Sequence, residues 1–164
     1  MKTRYANSFD SNPYIRKLER KEYDKAIRLI LDVFNESEAV NYTKEGIEEF
    51  YRTVNDDSFI CLLEFYGAFI DENLIGVIGF RSKDSHIALF FVDSRFQKQG
   101  IGRKLFAHIL EKTGLEKITV NSSIYARSFY HKLGFKAADT EKCVNGIRFI
   151  PMEYIKKQTS NILE

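Results

Sequence analysis

The stretch Phe90-Phe91-Val92-Asp93-Ser94-Arg95-Phe96-Gln97-Lys98-Gln99-Gly100-Ile101-Gly102-Arg103-Lys104-Leu105 joins an apolar run to a glycine turn and then to a helical pattern. Residues 87–92 are continuously apolar, as in a strand buried on both faces. Ile101, Leu105 and Ile109 then recur at i, i+4 and i+8, with Phe106 and Leu110 one step round on the same face. The first four N–H groups of a helix have no internal partner, and the helix dipole adds roughly half a positive charge at that end. Gly100 and Gly102 carry no Cβ, so an anion can come against the main chain itself. Arg103 and Lys104 in the first turn oppose the dipole but suit an anionic ligand. The stretch reads as a pyrophosphate cradle.

Two common cradles are ruled out by what is missing. A dinucleotide fingerprint requires Gly-x-Gly-x-x-Gly, and Leu105 stands where the third glycine belongs. The string Gly-x-x-x-x-Gly-Lys-Ser/Thr occurs nowhere in the chain. A plain strand-to-helix turn that needs glycine only for geometry remains open on this stretch alone. A second landmark lies downstream: Val120-Asn121-Ser122-Ser123-Ile124-Tyr125-Ala126-Arg127-Ser128-Phe129-Tyr130-His131-Lys132-Leu133-Gly134-Phe135. Here a short β-branched run from Lys117 to Asn121 leads to Ser122 or Ser123 as a helix cap. Ala126, Phe129, Tyr130 and Leu133 form the apolar stripe of that helix, and Gly134 ends it.

Around these landmarks the chain is regular. Tyr14 to Leu18 reads as a first strand, followed by a helix with Tyr23, Ile27, Ile30, Leu31 and Phe34 at helical spacing. Residues 35–42 form a polar break holding Glu36 and Glu38, and Thr43 caps a second helix with Ile47, Phe50, Tyr51 and Val54 on its apolar face. Residues 59–65 are readable as helix or strand. Strands follow at 66–70 and 74–80 across Asp71-Glu72-Asn73, then the central strand from His86 to Val92. Runs at 137–144 and 147–154 flank Asn145-Gly146, a strong hairpin signal.

Composition bounds the rest. The 164 residues, 44% hydrophobic with 14 Phe and 9 Tyr, suit one domain over 1–164 with a loose polar lead-in over 1–12. A net charge of +2, without a basic stripe, argues against nucleic acid. The apolar runs are too short for a membrane span, and the polar N-terminus lacks a signal core, so a cytoplasmic protein is expected. Cys61 and Cys143 are expected to be buried thiols. They and the three histidines show no metal-ligand spacing, so no metal is expected.

The segment Gln97-x-x-Gly100-x-Gly102 after a strand resembles the pyrophosphate loop of the GNAT superfamily of N-acetyltransferases. Asn121-x-x-x-x-Ala126-x-x-Phe129-Tyr130-x-x-Leu133-Gly134-Phe135 resembles that superfamily's C-terminal motif, at the family's spacing. The resemblance spans roughly half the chain. It implies an α/β (α+β) fold: a mixed, mostly antiparallel sheet of about seven strands, helices on both faces and a splayed central strand pair. It also implies acetyl-CoA as acyl donor and a small-molecule or peptide amine as acceptor; a homodimer is compatible with it. Carried over position by position, Phe90, Phe91 and Val92 would offer main-chain contacts to the donor. Gln97, Lys98, Gln99, Gly100, Ile101, Gly102 and Arg103 would wrap the pyrophosphate, and Asn121 and Ser123 would lie along the donor. Many relatives have Asn where Ser123 stands, and a plain helix cap is the alternative there.

Tyr130 holds the place of the family's usual general acid; its plain alternative is core packing. A phenol, with an ordinary pKa of about 10, keeps its proton near neutrality and can give it to a leaving thiolate. An N–H of the central strand, with Val92 as the choice, would meet the developing oxyanion. The base is not fixed by the motifs: His86 stands at or near the position where some relatives carry a Glu; Glu36 and Glu38 lie in the loop where the family often binds its acceptor, though such a pair reads first as a solvated acidic turn; and deprotonation relayed by water is equally open. Two other readings stand beside an N-acetyltransferase: an acyl-CoA sensor without turnover, and a nucleotide or phosphate module using the same turn.

Overall fold

The computed structural model describes residues 12–158; the expected lead-in, apart from Asn12, lies outside the described residues. Eight strands form one sheet: β1 (Tyr14–Lys17), β2 (Glu64–Ile70), β3 (Asn73–Arg81), β4 (His86–Val92), β5 (Lys117–Ser122), β6 (Lys136–Ala137), β7 (Lys142–Val144) and β8 (Ile147–Ile155). Their order is β1-β2-β3-β4-β5-β8-β6, with β7 also paired to β8; every pairing is antiparallel except β4 with β5. The helices are α1 (Tyr23–Val33), α2 (Lys44–Val54), a single turn α3 (Asp57–Ile60), α4 (Ile101–Thr113) and α5 (Arg127–Leu133).

Local chemistry accounts for the ends. The Thr43 hydroxyl accepts the Gly46 N–H at 3.1 Å and starts α2. Gly114 and Gly134 close α4 and α5 with φ of +62° and +103°. Asn145 and Gly146, at φ +50° and +80°, make the left-handed pair that joins β7 to β8. Residues 59–65 divide: α3 ends at Ile60 and β2 begins at Glu64. The strand expected over 137–144 is broken at 138–141, which yields eight strands where about seven were expected.

Each face of the sheet carries its own core. On one, Leu105, Phe106 and Ile109 of α4 and Tyr130 of α5 pack on Ile78, Phe80 and Ile118. On the other, Ala26, Ile30 and Val33 of α1, with Phe34 and Val54, pack on Phe65, Val77, Leu89 and Phe91. Both expected thiols are corrected: Cys61 follows α3 and Cys143 lies on the wholly exposed β7, so each is at the surface.

The central strand departs from its expected regularity at one point. Gly79 pairs with Leu89 and Phe80 with Ile87, so Ala88 is an extra residue, a β-bulge. Regular alternation would send Ile87, Leu89 and Phe91 to one face. Instead Ile87 joins the α4/α5 core, while Leu89 and Phe91 join the α1/α2 core. β5 stays with β4 only at His86↔Thr119 and Ile87↔Val120, and the two strands part where the bulge begins.

Gly102 has a packing role the sequence did not disclose. A Cβ there would lie 2.7 Å from the Phe129 ring, which packs edge-on against Phe90 at 5.3 Å between centroids. Gly102→Ala should therefore lower stability by about 1–3 kcal/mol through overpacking, despite the better helix propensity of Ala. Urea denaturation measures this, and most of the loss should vanish when Phe129→Ala is added; an unchanged midpoint for the single variant would show that the ring moves freely.

Candidate active site

The parting of β4 and β5 leaves main-chain groups without a ladder. The Asp93 N–H donates to the Ile75 carbonyl at 2.8 Å, which sets the phase of the β3–β4 pairing. Hydrogen-bonded pairs alternate along an antiparallel ladder, so Leu89 and Phe91 also turn their N–H and C=O to β3. Phe90 and Val92 turn theirs to the side that β5 has left. Across the gap, Lys156 donates to the Glu116 carbonyl at 2.7 Å, and the same alternation turns the main chain of Asn121 inward. Thus Phe90, Val92 and Asn121 present polar main chain to the gap. Phe91 contributes its side chain, which lines the α1/α2 side of the cleft.

At one end of the gap lies the mouth of α4. Gln97 Nε2 donates to the Val92 carbonyl at 3.0 Å and ties the loop to the strand, and Gln99 Nε2 donates to the Arg95 carbonyl at 3.3 Å. Lys98 and Gly100 both have positive φ, +60° and +82°. The first helical bond runs from the Lys104 N–H to the Gly100 carbonyl at 3.0 Å, so the N–H groups of Ile101, Gly102 and Arg103 have no acceptor within α4. Nothing stands within 4 Å of a Cβ built on Gly100, so that side of the loop is open. The Ile101 side chain is buried, and only its N–H faces the mouth. Arg103 Nη2 reaches the Lys132 carbonyl at 3.5 Å, and Lys98 and Gln99 are exposed.

The other end opens into a cleft of about 330 Å³. Phe90, Asn121, Ser123, Ala126 and Tyr130 line the side of it next to the gap. Ser123 accepts the Ala126 N–H at 3.2 Å, so its hydroxyl closes the turn of residues 124–126 that leads into α5; the helix itself starts at Arg127 without a side-chain cap, which corrects the cap expected of Ser122 or Ser123. Tyr130 is buried between Phe90, Phe129 and Phe135, with ring centroids 5.3–6.1 Å away. Burial, and secondarily the negative charge of Glu38, push its phenol well above the ordinary value, which holds the proton on.

Glu38 is the residue the sequence left undecided. α1 runs on into a π turn, Phe34–Glu38, anchored by Phe34, which stacks on Phe50 at 3.9 Å. The turn separates two carboxylates that sit two residues apart. Glu36 is exposed and accepts a 2.8 Å hydrogen bond from the Ser94 hydroxyl. Glu38 faces the cleft, with no hydrogen bond or ion pair among the described residues, and desolvation raises its carboxyl from 4.5 to about 7. Burial, and secondarily the charge of Glu38, raise the Tyr42 phenol to about 12. His86 lines the cleft too; its Nδ1 lies 2.8 Å from Thr119 Oγ1, and burial lowers its pKa, so it is neutral at pH 7. No cluster of three or more metal-ligating side chains occurs among the described residues, and none of the described helices is long and apolar enough to cross a membrane.

This arrangement can be set beside known proteins. Among solved structures, a GCN5-related N-acetyltransferase from Rhodopseudomonas palustris superposes with a TM-score of 0.75 at 18% identity, covering 88% of this chain and 96% of that one. PaiA N-acetyltransferase from Thermoplasma acidophilum, solved in complex with coenzyme A, gives 0.71 at 25% identity, covering 88% and 99%. Apo-form YjaB from Escherichia coli gives 0.69 at 19%, covering 89% and 99%. No curated protein sequence matches at a significant level. The family model described as an acetyltransferase (GNAT) domain matches residues 38–156, which takes in Glu38, the bulged strand, the α4 mouth and Tyr130. The chain belongs to the GNAT acetyltransferase family.

Proposed function

We propose that this chain moves an acetyl group from acetyl-CoA to a primary amine, with both substrates held together in one complex. The observation that carries the proposal is a continuous run of donors and acceptors. Free N–H groups at the mouth of α4 meet the unpaired main chain of Phe90, the N–H of Val92 and the carbonyl of Asn121, and that gap ends at Tyr130 and Glu38. The residues present fit such a donor. A diphosphate suits the N–H groups of Ile101, Gly102 and Arg103 beside the open face of Gly100, with Lys98 and Arg103 adding positive charge. The amides of a pantetheine arm suit the main chain exposed in the gap.

Bound acetyl-CoA would supply an activated carbonyl and a thiolate leaving group. Glu38 takes a proton from the acceptor ammonium, and the freed nitrogen attacks the carbonyl; a C–N bond forms and the C–S bond breaks. Of the two N–H groups turned to the gap, that of Phe90 belongs to a residue of the cleft wall, so we assign it, rather than that of Val92, to the negative charge growing on the carbonyl oxygen. Tyr130 gives its proton to the departing sulfur and regains one from the proton the amine releases. A sensor without turnover would have no use for a desolvated, unpaired carboxylate beside a buried phenol.

Three outcomes follow. Tyr130→Phe should cut kcat about 10²–10⁴-fold, while coenzyme A affinity by calorimetry stays unchanged; an unaltered rate removes the phenol from the mechanism. Thiol release measured against pH should show kcat/KM rising through about pH 7 as Glu38 ionises, and Glu38→Gln should abolish that limb together with most of the rate. The same group bears on stability. Its folded pKa, about 7, exceeds the 4.5 of the unfolded chain, so the folded state binds the extra proton and stability falls as pH rises from 4.5 to 7. Glu38→Gln should therefore raise the melting temperature at pH 8 by several degrees and have little effect at pH 4; equal shifts at both pH values would contradict the burial assigned to Glu38.

A further inference from the structure

The charges around the cleft are paired off, with a single exception. Arg81 holds Asp84 through two hydrogen bonds of 2.7 Å, Arg148 holds Glu141 at 2.5 Å, and Glu49 pairs with Arg52. Glu38 is the cleft carboxylate with no counter-ion among the described residues. Much of the lining is aromatic or apolar, with Tyr42, Phe50, Val54, Phe59, Phe91 and Phe149, beside Thr53 and the paired Glu49 on α2. This wall is built, not accidental. Phe50 is held by its stack on Phe34 and lies 5.9 Å from Phe91, so rings from α2 and β4 meet across the cleft.

We infer that the acceptor is a primary monoamine on an apolar body, with its nitrogen at Glu38 and its body against the rings of Phe50, Phe59 and Phe91. The inference rests on the transferase reading above and adds the class of substrate to it. One unpaired carboxylate matches one ammonium. A second cation on the same molecule would enter the aromatic wall, where ring faces return about 0.5–2 kcal/mol, while burying an unpaired ion costs several kcal/mol. A carboxylate next to the amine would face Glu38 itself, and the two arginines that line the cleft are already bonded to Asp84 and Glu141. A cleft of about 330 Å³ suits a small molecule better than a folded protein surface.

The test is thiol release from acetyl-CoA by the purified protein with four amines: 2-phenylethylamine, hexylamine, spermidine and a lysine-containing tripeptide. The inference predicts that kcat/KM for 2-phenylethylamine and hexylamine exceeds that for spermidine and the tripeptide by at least about tenfold. Phe50→Leu should raise KM for 2-phenylethylamine several-fold with kcat and coenzyme A affinity little changed, which a general loss of folding would not produce. Preference for spermidine or the tripeptide overturns this inference and leaves the transferase reading standing. No release with any amine, from protein that binds coenzyme A by calorimetry, overturns both.

Discussion

The rest of the molecule is arranged around a main-chain vacancy. Buried backbone N–H and C=O groups are almost always paired, and leaving one unmet costs about 1–3 kcal/mol. At Ala88 a single extra residue re-phases β4, and beyond Ile87 its neighbour β5 departs. Phe90, Val92 and Asn121 are left with polar groups facing a gap in the middle of a sheet. The two cores make this arrangement stable: Ile87 and Phe90 are anchored under α4 and α5, while Leu89 and Phe91 are anchored under α1 and α2. Neither strand can slide back into register without turning apolar side chains to the wrong face. The sheet is thus held open by hydrophobic packing, and a ligand with amide and phosphate groups can complete what the strands do not.

The far end of the cleft obeys the opposite rule, since there a charged group is kept without a partner among the described residues. Glu38 sits at the end of a π turn whose position depends on Phe34, itself fully buried and packed against Phe50, Tyr42 and Tyr51. Taking the carboxylate out of water raises its pKa to about 7 and makes it a fit acceptor for an ammonium proton near neutrality. The same desolvation weakens the fold at high pH. Nearby Tyr130 responds to burial in the direction a proton donor needs, since its neutral form is favoured. The hairpin of β7 and β8 reaches this end as well: a Cβ on Gly46, in the first turn of α2, would come within 2.6 Å of the Gly146 carbonyl. That contact seats the hairpin beside α2 and brings Arg148 and Phe149 to the cleft wall.

Much of this was legible in the sequence, and the parts that were not have physical reasons. Elements set by local chemistry came through: the Asn145-Gly146 turn, the Thr43 cap, the glycine ends of α4 and α5, and the strand–loop–helix of residues 86–113. The family followed from two short motifs in order. Hidden from view was whatever depends on partners distant along the chain. The bulge at Ala88 leaves no mark in an unbroken apolar run, because only the pairing with β3 reveals it. Gly102 was read as room for a phosphate, but its missing Cβ first makes room for Phe129, 27 residues away. Glu36 and Glu38 look alike in an acidic loop; a π turn, which has no sequence signature, exposes one and turns the other to the cleft. The two cysteines, expected inside, are outside because the segments carrying them are a turn and an edge strand.

On the proposed function, the N–H groups of Phe90 and Val92 and those at the mouth of α4 hold the donor. Amide hydrogen exchange followed by NMR, with and without coenzyme A, reads these groups one by one. Saturating coenzyme A should slow exchange most at Val92, Ile101, Gly102 and Arg103, and acetyl-CoA should extend this to Phe90, with little change at Leu89 and Phe91, whose N–H groups already bond β3. Tight binding with protection elsewhere, and none at those five amides, would contradict it.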